Sequence, residues 1–333
     1  MRTFDSTARM SAGPTLWRGV LALRGTHDIA AIVLIRCVAE IVINPLGNFP
    51  LNDDWAWGRT VQTLLDTGDF RPTGWGPMSL LSHVLWGAVF CLPAGFSFTA
   101  LRLAGFAASL VAGAGCYLLT FEASGSRALA AVAALMWLFN PITFALSATF
   151  MTDVPFVAIA VVAALFFARH LRTGRDDQLI VGTLCAVVAI LSRQLAFVLP
   201  VSFAVALLAQ RGLRAGAIVR AAVPVVACYA VLAGFEHWLI ASGRLPGLYR
   251  PLTVGFLYAL FQSRTPSGAL VENLWLVMLY VGCMVLPLLL ALAPQMYGSL
   301  KSHAVRAAAV TASCGIPVMS MYLLGQGLSL IHI

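Results

Sequence analysis

Two aspartates stand side by side in "NDDWAWGRT" (52–60), in a chain with only 13 acidic residues among 333. A third, Asp153, sits in "TFMTDVPF" (149–156), and Arg193 with Gln194 separates two apolar runs in "ILSRQLAFVLP" (190–200). Each has a structural reading. Asn52, Asp53 and Asp54 can cap a helix and complement its dipole. Thr152 or Asp153 can cap another, with Pro155 in its first turn. Arg193 can snorkel to lipid headgroups. A cap, however, needs one carboxylate, and the first stretch holds two. A cation beside carboxylates suits an anionic ligand.

The elements that must position these groups follow from composition. The chain is 60% hydrophobic and 10% charged, against roughly a quarter charged in a soluble domain. Apolar runs of about 18 residues or more recur from residue 29 onward, the length of a bilayer crossing, and in hydrocarbon such runs must be helices. The fold class is therefore all-α, a polytopic integral membrane protein. Apolar segments lie near 29–46, 78–94, 99–120, 128–146, 153–168, 178–192, 195–210, 217–240, 271–293 and 305–325. If all of them cross, Asp53/Asp54 and Asp153 face opposite sides and the arginines of 169–175 lie outside. The stretch 76–95 is short, bounded by Pro and Gly, and carries Ser79, Ser82 and His83. Laying it in the interface leaves about nine spans with the N-terminus inside. The loops 121–127, 168–177, 210–220 and 301–306 then become cytoplasmic and basic, and Asp53, Asp54, Asp153 and Arg193 share the outer face.

Residues 53–67 read as an in-plane helix with Trp57, Val61, Leu64 and Leu65 on its apolar face. Trp55 and Trp57 suit the headgroup level. Arg36 and Glu40, one turn apart in the first span, satisfy each other. The formal charge of +8 comes mainly from arginines in loops between apolar runs, which argues for orientation in a membrane and against nucleic acid. The seven cysteines lie mostly in apolar segments without CxxC spacing and read as small buried residues. His83 and His237 fall on the outer side, where a lone histidine is more often structural. The outer loop 241–270 carries Arg244, Arg250 and Arg264 with no acid to balance them. The closing "LSLIHI" has no polar tail and reads as a truncated end.

In order and placement these residues resemble the GT-C superfamily of membrane glycosyltransferases, with relatives among the protein O-mannosyltransferases and the lipid A aminoarabinose transferases. The resemblance rests on "NDDWAWGRTVQTLLDTGDF" after the first span, on Arg102 in "SFTALRLAGF", on "FMTDVPF" and on "LSRQ". It covers roughly residues 29–210. Asp54 stands where the family often has Glu, Arg193 where many members have Lys, and the acceptor-side signature is reduced to "WGPMSLL".

The likeness implies a cytoplasmic segment 1–28, a catalytic transmembrane core 29–210 with a first outer loop 47–98, and additional spans in 211–333. It implies transfer of a sugar from a polyprenyl-phosphate donor to a lipid, glycan or protein acceptor, on the outer side of the cell (inner) membrane. By the same likeness Asp53 is the base and Asp54 its neighbour or co-ligand. Asp153 orients the acceptor or helps Asp53 hold a divalent cation (Mg, Mn or Zn). Arg193 binds the lipid phosphate, with Gln194, Arg59, His83 and Arg250 as further substrate-binding candidates. The rival reading is a secondary transporter or lipid flippase, a class that keeps ionisable groups at the membrane midplane on broken helices.

Overall fold

Every element among the described residues is helical, and the breaks between helices have local causes. The computed structural model describes residues 15–45, 47–249 and 251, with side chains from residue 25 onward. These lie within one unit, Met1–Thr253. Arg250, Arg264 and the expected spans 271–293 and 305–325 fall outside the described residues.

In chain order the helices are α1 (Thr15–Ile43), α2 (Asp54–Thr67), α3 (Leu81–Cys91), α4 (Phe98–Ser124), α5 (Arg127–Phe139) and α6 (Pro141–Ser147). They continue with α7 (Asp153–Thr173), α8 (Asp176–Ile190), a 3-10 turn (Gln194–Phe197), α9 (Val198–Arg211) and α10 (Ala215–Ala241). Among the described residues four stretches are long and apolar enough to cross a bilayer: α4, α7, the 3-10 turn with α9, and α10. The first helix starts at Thr15, well before the expected boundary at 29. α3, at 11 residues, rises only about 16 Å and is too short to cross. Laying that segment flat agrees with this length.

One expected span is broken. Residues 128–146 read as one crossing, but α5 and α6 meet at a 60° bend. Pro141 has no N–H to continue the ladder, and Asn140 Oδ1 accepts from the N–H groups of Ile142 (2.9 Å) and Thr143 (3.3 Å), starting a new helix. Arg36 holds the broken piece. It is fully buried, with Nη1 on Glu40 at 2.5 Å, Nη2 donating to Ser147 Oγ at 2.7 Å, and its guanidinium 3.9 Å from the Phe144 ring centroid. The pairing read from the i,i+4 spacing is present, and the same arginine also ties α1 to α6.

α7 packs between α4 and α8, and α10 packs on α8 and α9. Where α4 meets the loop before α7 the backbones nearly touch: a Cβ on Gly105 would lie 2.4 Å from the Thr149 carbonyl oxygen. At the other end α7 stops at Gly174, whose φ of +73° suits glycine and lets its N–H reach the His170 carbonyl at 2.8 Å. Twenty-one residues of α7 rise about 31 Å, so Asp153 and Thr173 sit a bilayer thickness apart.

Candidate active site

Three connecting segments meet at the Asp153 end of the bundle. The first runs from the end of α1 through α2 and α3, the second is the short link 148–152, and the third is 191–194. Serines join the first to the last turn of α8, and backbone groups join it to the third. Ser79 Oγ donates to the Ile190 carbonyl (3.0 Å) and Ser82 Oγ to that of Val188 (2.7 Å). Leu80 N–H donates to the Ser192 carbonyl at 3.1 Å. Leu80 holds a φ of +62°, a strained conformation for a bulky residue, directly against the segment that carries Arg193.

The two adjacent aspartates have different environments. Asp54 is fully buried; its Oδ1 accepts from Leu51 N–H at 2.5 Å and its Oδ2 from Phe150 N–H at 3.3 Å. Burial pushes its carboxyl up from the usual aspartate range, against the two N–H groups and the Arg102 charge that favour ionisation. Asp53 occupies the N-cap position of α2, yet its side chain makes no capping bond. Its carbonyl accepts from Ala56 N–H at 3.0 Å, but the half-buried carboxylate has no hydrogen bond or ion pair to any described residue. Asn52, at φ +56°, makes the turn that precedes it. Arg102, buried in α4, fastens this corner through the carbonyls of Pro45 and Phe49, both at 2.8 Å.

Phe150 is the junction of the first two segments. Its N–H goes to Asp54, and its carbonyl lies 3.2 Å from His83 Nε2. The Phe150 and His83 rings stack with centroids 4.0 Å apart. A carbonyl can only accept, so Nε2 carries the proton and Nδ1 is the bare acceptor, buried without a partner. Burial holds His83 down to about 4, so the imidazole is neutral near pH 7. Being 1% exposed, it holds the loop and offers no surface to a substrate.

The second and third segments meet at Asp153 and Arg193, whose Oδ1 and Nη1 lie 2.5 Å apart. Both side chains are partly open, and the Phe156 ring flanks the guanidinium. Gln194 bonds the buried Tyr249 hydroxyl, which donates to Glu236 Oε1 at 3.1 Å. Arg59 lies apart on the exposed face of α2, donating to Gln62 at 3.2 Å. Arg244 is not unbalanced: Asp69 in the first outer segment takes its Nη2 at 2.8 Å. The acid comes from another loop, which inspection of 241–270 alone does not find. Trp57 is buried in the core beside Val61, and only Trp55 is open, facing Trp75. Among the described residues no group of three His, Cys, Asp or Glu side chains comes together to hold a metal ion.

Beside the ion pair runs an apolar groove of about 450 Å³ between α3, α4, α7 and α8. Leu85, Trp86, Val111, Ile159 and Val188 line its length, and Pro155 and Leu191 bring its wall within two residues of Asp153 and Arg193. Sequence reading missed this groove and the roles of Phe150, Leu80 and Tyr249. Only "TFMTD" and the serines of 79–82 hinted at tight loops there.

Residues 80–240 match the family model of the dolichyl-phosphate-mannose-protein mannosyltransferases. Asp153 and Arg193 fall inside the matched stretch, and Asp53 and Asp54 upstream of it. No curated protein and no solved structure matches the chain. The match bears out the glycosyltransferase likeness read from the sequence, and the long apolar helices go with a multi-pass membrane protein.

Proposed function

We propose, taking as premise that residues 80–240 are of the dolichyl-phosphate-mannose-protein mannosyltransferase type, that this chain transfers a sugar from a polyprenyl-phosphate donor. The acceptor is a hydroxyl of a lipid, glycan or protein at the extracytoplasmic end of the bundle. The carrying observation is a guanidinium fixed at Asp153 beside an apolar groove. An isoprenoid tail needs an apolar channel and a phosphate needs a cation, and here the two adjoin.

In this reading the tail lies in the groove and the phosphate meets the Arg193 donors that Asp153 does not occupy. Asp53, the carboxylate without a partner, takes the proton of the acceptor hydroxyl. The acceptor oxygen attacks the anomeric carbon, the carbon–oxygen bond to phosphate breaks, and the electron pair leaves on the phosphate facing Arg193. Asp54, with both oxygens on backbone N–H groups, positions Asp53 by fixing the start of α2 to the second segment. A divalent ion would have Asp53 as its one open carboxylate here, since Asp153 faces Arg193. Against transport stands the pairing of Arg36 with Glu40 and Ser147, which balances the charge at that point of α1.

The test is a reconstituted assay. Purified chain in liposomes, given a radiolabelled polyprenyl-phosphate sugar, should release polyprenyl phosphate and label an acceptor, and Asp53→Asn should abolish this at unchanged thermal stability. Transfer by Asp53→Asn at the wild-type rate excludes it as the base. Movement of intact donor between leaflets without release supports the flippase instead.

A further inference from the structure

Beyond the matched stretch 80–240 the described chain continues for a short distance, and that continuation returns to the site. After α10 the segment 242–249 folds back onto the first connecting segment. Arg244 Nη2 reaches Asp69 at 2.8 Å, and Leu248 N–H reaches the Gly74 carbonyl at 3.4 Å. Tyr249 N–H closes a turn on the Pro246 carbonyl at 3.0 Å, and the side chain is 2% exposed. A tyrosine buried this deeply needs partners for its hydroxyl.

Those partners come from three other parts of the fold. Tyr249 donates to Glu236 Oε1 at 3.1 Å, and Glu236 is itself buried in α10. Ser79 of the first segment and Gln194 of the third flank the same hydroxyl. Burial, with the Glu236 charge adding to it, holds the phenol above the ordinary tyrosine range, so it keeps its proton near neutral pH. That one proton goes to the carboxylate. Towards Gln194 the oxygen can then only accept, which makes Nε2 the end of the amide that faces Tyr249. Gln194 therefore donates to Tyr249, and Tyr249 to Glu236.

The residue before Gln194 is Arg193. It stands in extended backbone, φ −144° and ψ 129°, between α8 and the 3-10 turn. On the α8 side its own N–H is held by the Ala189 carbonyl at 2.9 Å, and Leu80 holds the Ser192 carbonyl at 3.1 Å. On the other side the next side-chain anchor is Gln194, whose amide nitrogen is turned into the protein and away from any substrate. A charge-binding group works when held to within about 0.5 Å, by partners that do not themselves touch the ligand.

We propose that Tyr249 is a positioning residue for Arg193, acting through Gln194, so that the loop 242–249 belongs to the site although it lies beyond the family match. The inference rests on reading Arg193 as the cation that faces the donor phosphate.

Transfer kinetics in the wild-type and Arg193→Ala backgrounds test it, with hydrogen exchange of the full chain as a readout that needs no donor. Tyr249→Phe keeps the ring and removes the hydroxyl. It should lower kcat/KM about tenfold in the wild-type background. In the Arg193→Ala background it should leave kcat/KM within about twofold, while lowering the melting temperature equally in both. Amides of 191–197 should exchange faster in Tyr249→Phe, and those of α5 at the wild-type rate. Gln194→Met should reproduce these effects, and adding Tyr249→Phe to it should cost no further transfer.

An equal fall in transfer in both backgrounds assigns Tyr249 to general stability and overturns the proposal. Additive losses for Tyr249→Phe and Gln194→Met overturn it too, because they give Gln194 a substrate contact of its own. Exchange of 191–197 at the wild-type rate in both variants has the same force. A wild type that transfers no sugar, with exchange of 191–197 still faster in Tyr249→Phe, supports the hold on Arg193 and removes the transfer reading instead.

Discussion

Arg193 Nη1 lies 2.5 Å from Asp153 Oδ1, joining the start of α7 to the turn before α9. Both groups are partly open to solvent, where an ion pair contributes about 0–1 kcal/mol. Its consequence is therefore orientation more than stability: one edge of a planar cation is fixed and the other left for an anion. Arg193→Ala should cut transfer by about 10²–10³-fold, the scale of losing one charge-stabilising donor. Asp153→Asn, which leaves the cation in place, should cost clearly less and act mainly on the KM for donor. The double variant should resemble Arg193→Ala alone, because Asp153 acts through Arg193. Equal and additive losses in a steady-state assay would contradict that dependence.

Asp54 and Asp53 should separate cleanly. Asp54→Asn can still accept from Leu51 N–H through its oxygen, but its amide then meets the Phe150 N–H, donor against donor. A buried N–H left without an acceptor costs about 1–3 kcal/mol, so this variant should melt several degrees below wild type, whereas Asp53→Asn should not. A melting point for Asp54→Asn at the wild-type value would show that the Phe150 contact carries little.

What the sequence displayed and what it hid divide along contact distance. The helices are local objects: apolar length, Pro141 after Asn140, glycines at helix ends, and the face of α2 that buries Trp57 and Val61 were all in view. Even so, apolarity on both sides of Asn140 masked the bend, and the headgroup placing of Trp57 failed because α2 turns that face onto α3 and α4. The pairs that build the site are non-local. Which of two adjacent carboxylates turns inward is decided by Phe150, 96 residues away, and Arg244 finds its acid in another loop. Asp153 and Arg193 were placed on one face by counting spans. Their direct bond was beyond such counting.

Gly105 is the point where α4 supports the second segment. A methyl there would stand 2.4 Å from the Thr149 carbonyl oxygen, which is backbone and cannot swing aside. Gly105→Ala should displace Thr149 and Phe150, weaken the Asp54 bond, and cost about 1–3 kcal/mol, the usual scale of overpacking. Transfer should fall with stability although no proposed reacting group is touched. Unchanged melting and unchanged transfer in this variant would mean that the loop is not held against α4.

Chelation bears on the expected divalent ion. With Asp153 turned to Arg193, Asp53 is the one open carboxylate of the three, too few oxygens for a hard cation that takes six or more ligands. Exhaustive EDTA treatment should leave transfer within about twofold of the untreated rate, since the proposed base and countercharge are side chains of the chain itself. Loss of activity on chelation, restored by Mg, Mn or Zn, would require ligands from substrate phosphate or from residues beyond those described.

His83 makes the protein sensitive to acid. Its folded-state value is held at about 4, below the ordinary 6.5, so between these values the unfolded chain binds a proton that the folded chain refuses. Stability contributed by the neutral, buried ring is complete above about pH 6.5 and is lost as pH falls toward 4. Across the whole window the loss amounts to about 3 kcal/mol, at up to 1.4 kcal/mol per pH unit. His83→Gln keeps an N–H for the Phe150 carbonyl and removes the titration. Its melting temperature should therefore fall less steeply from pH 7 to pH 4.5 than that of the wild type, even if it starts lower through the lost stack on Phe150. Parallel melting curves against pH for the two proteins would show that His83 does not titrate in this window, and that acid acts elsewhere in the fold.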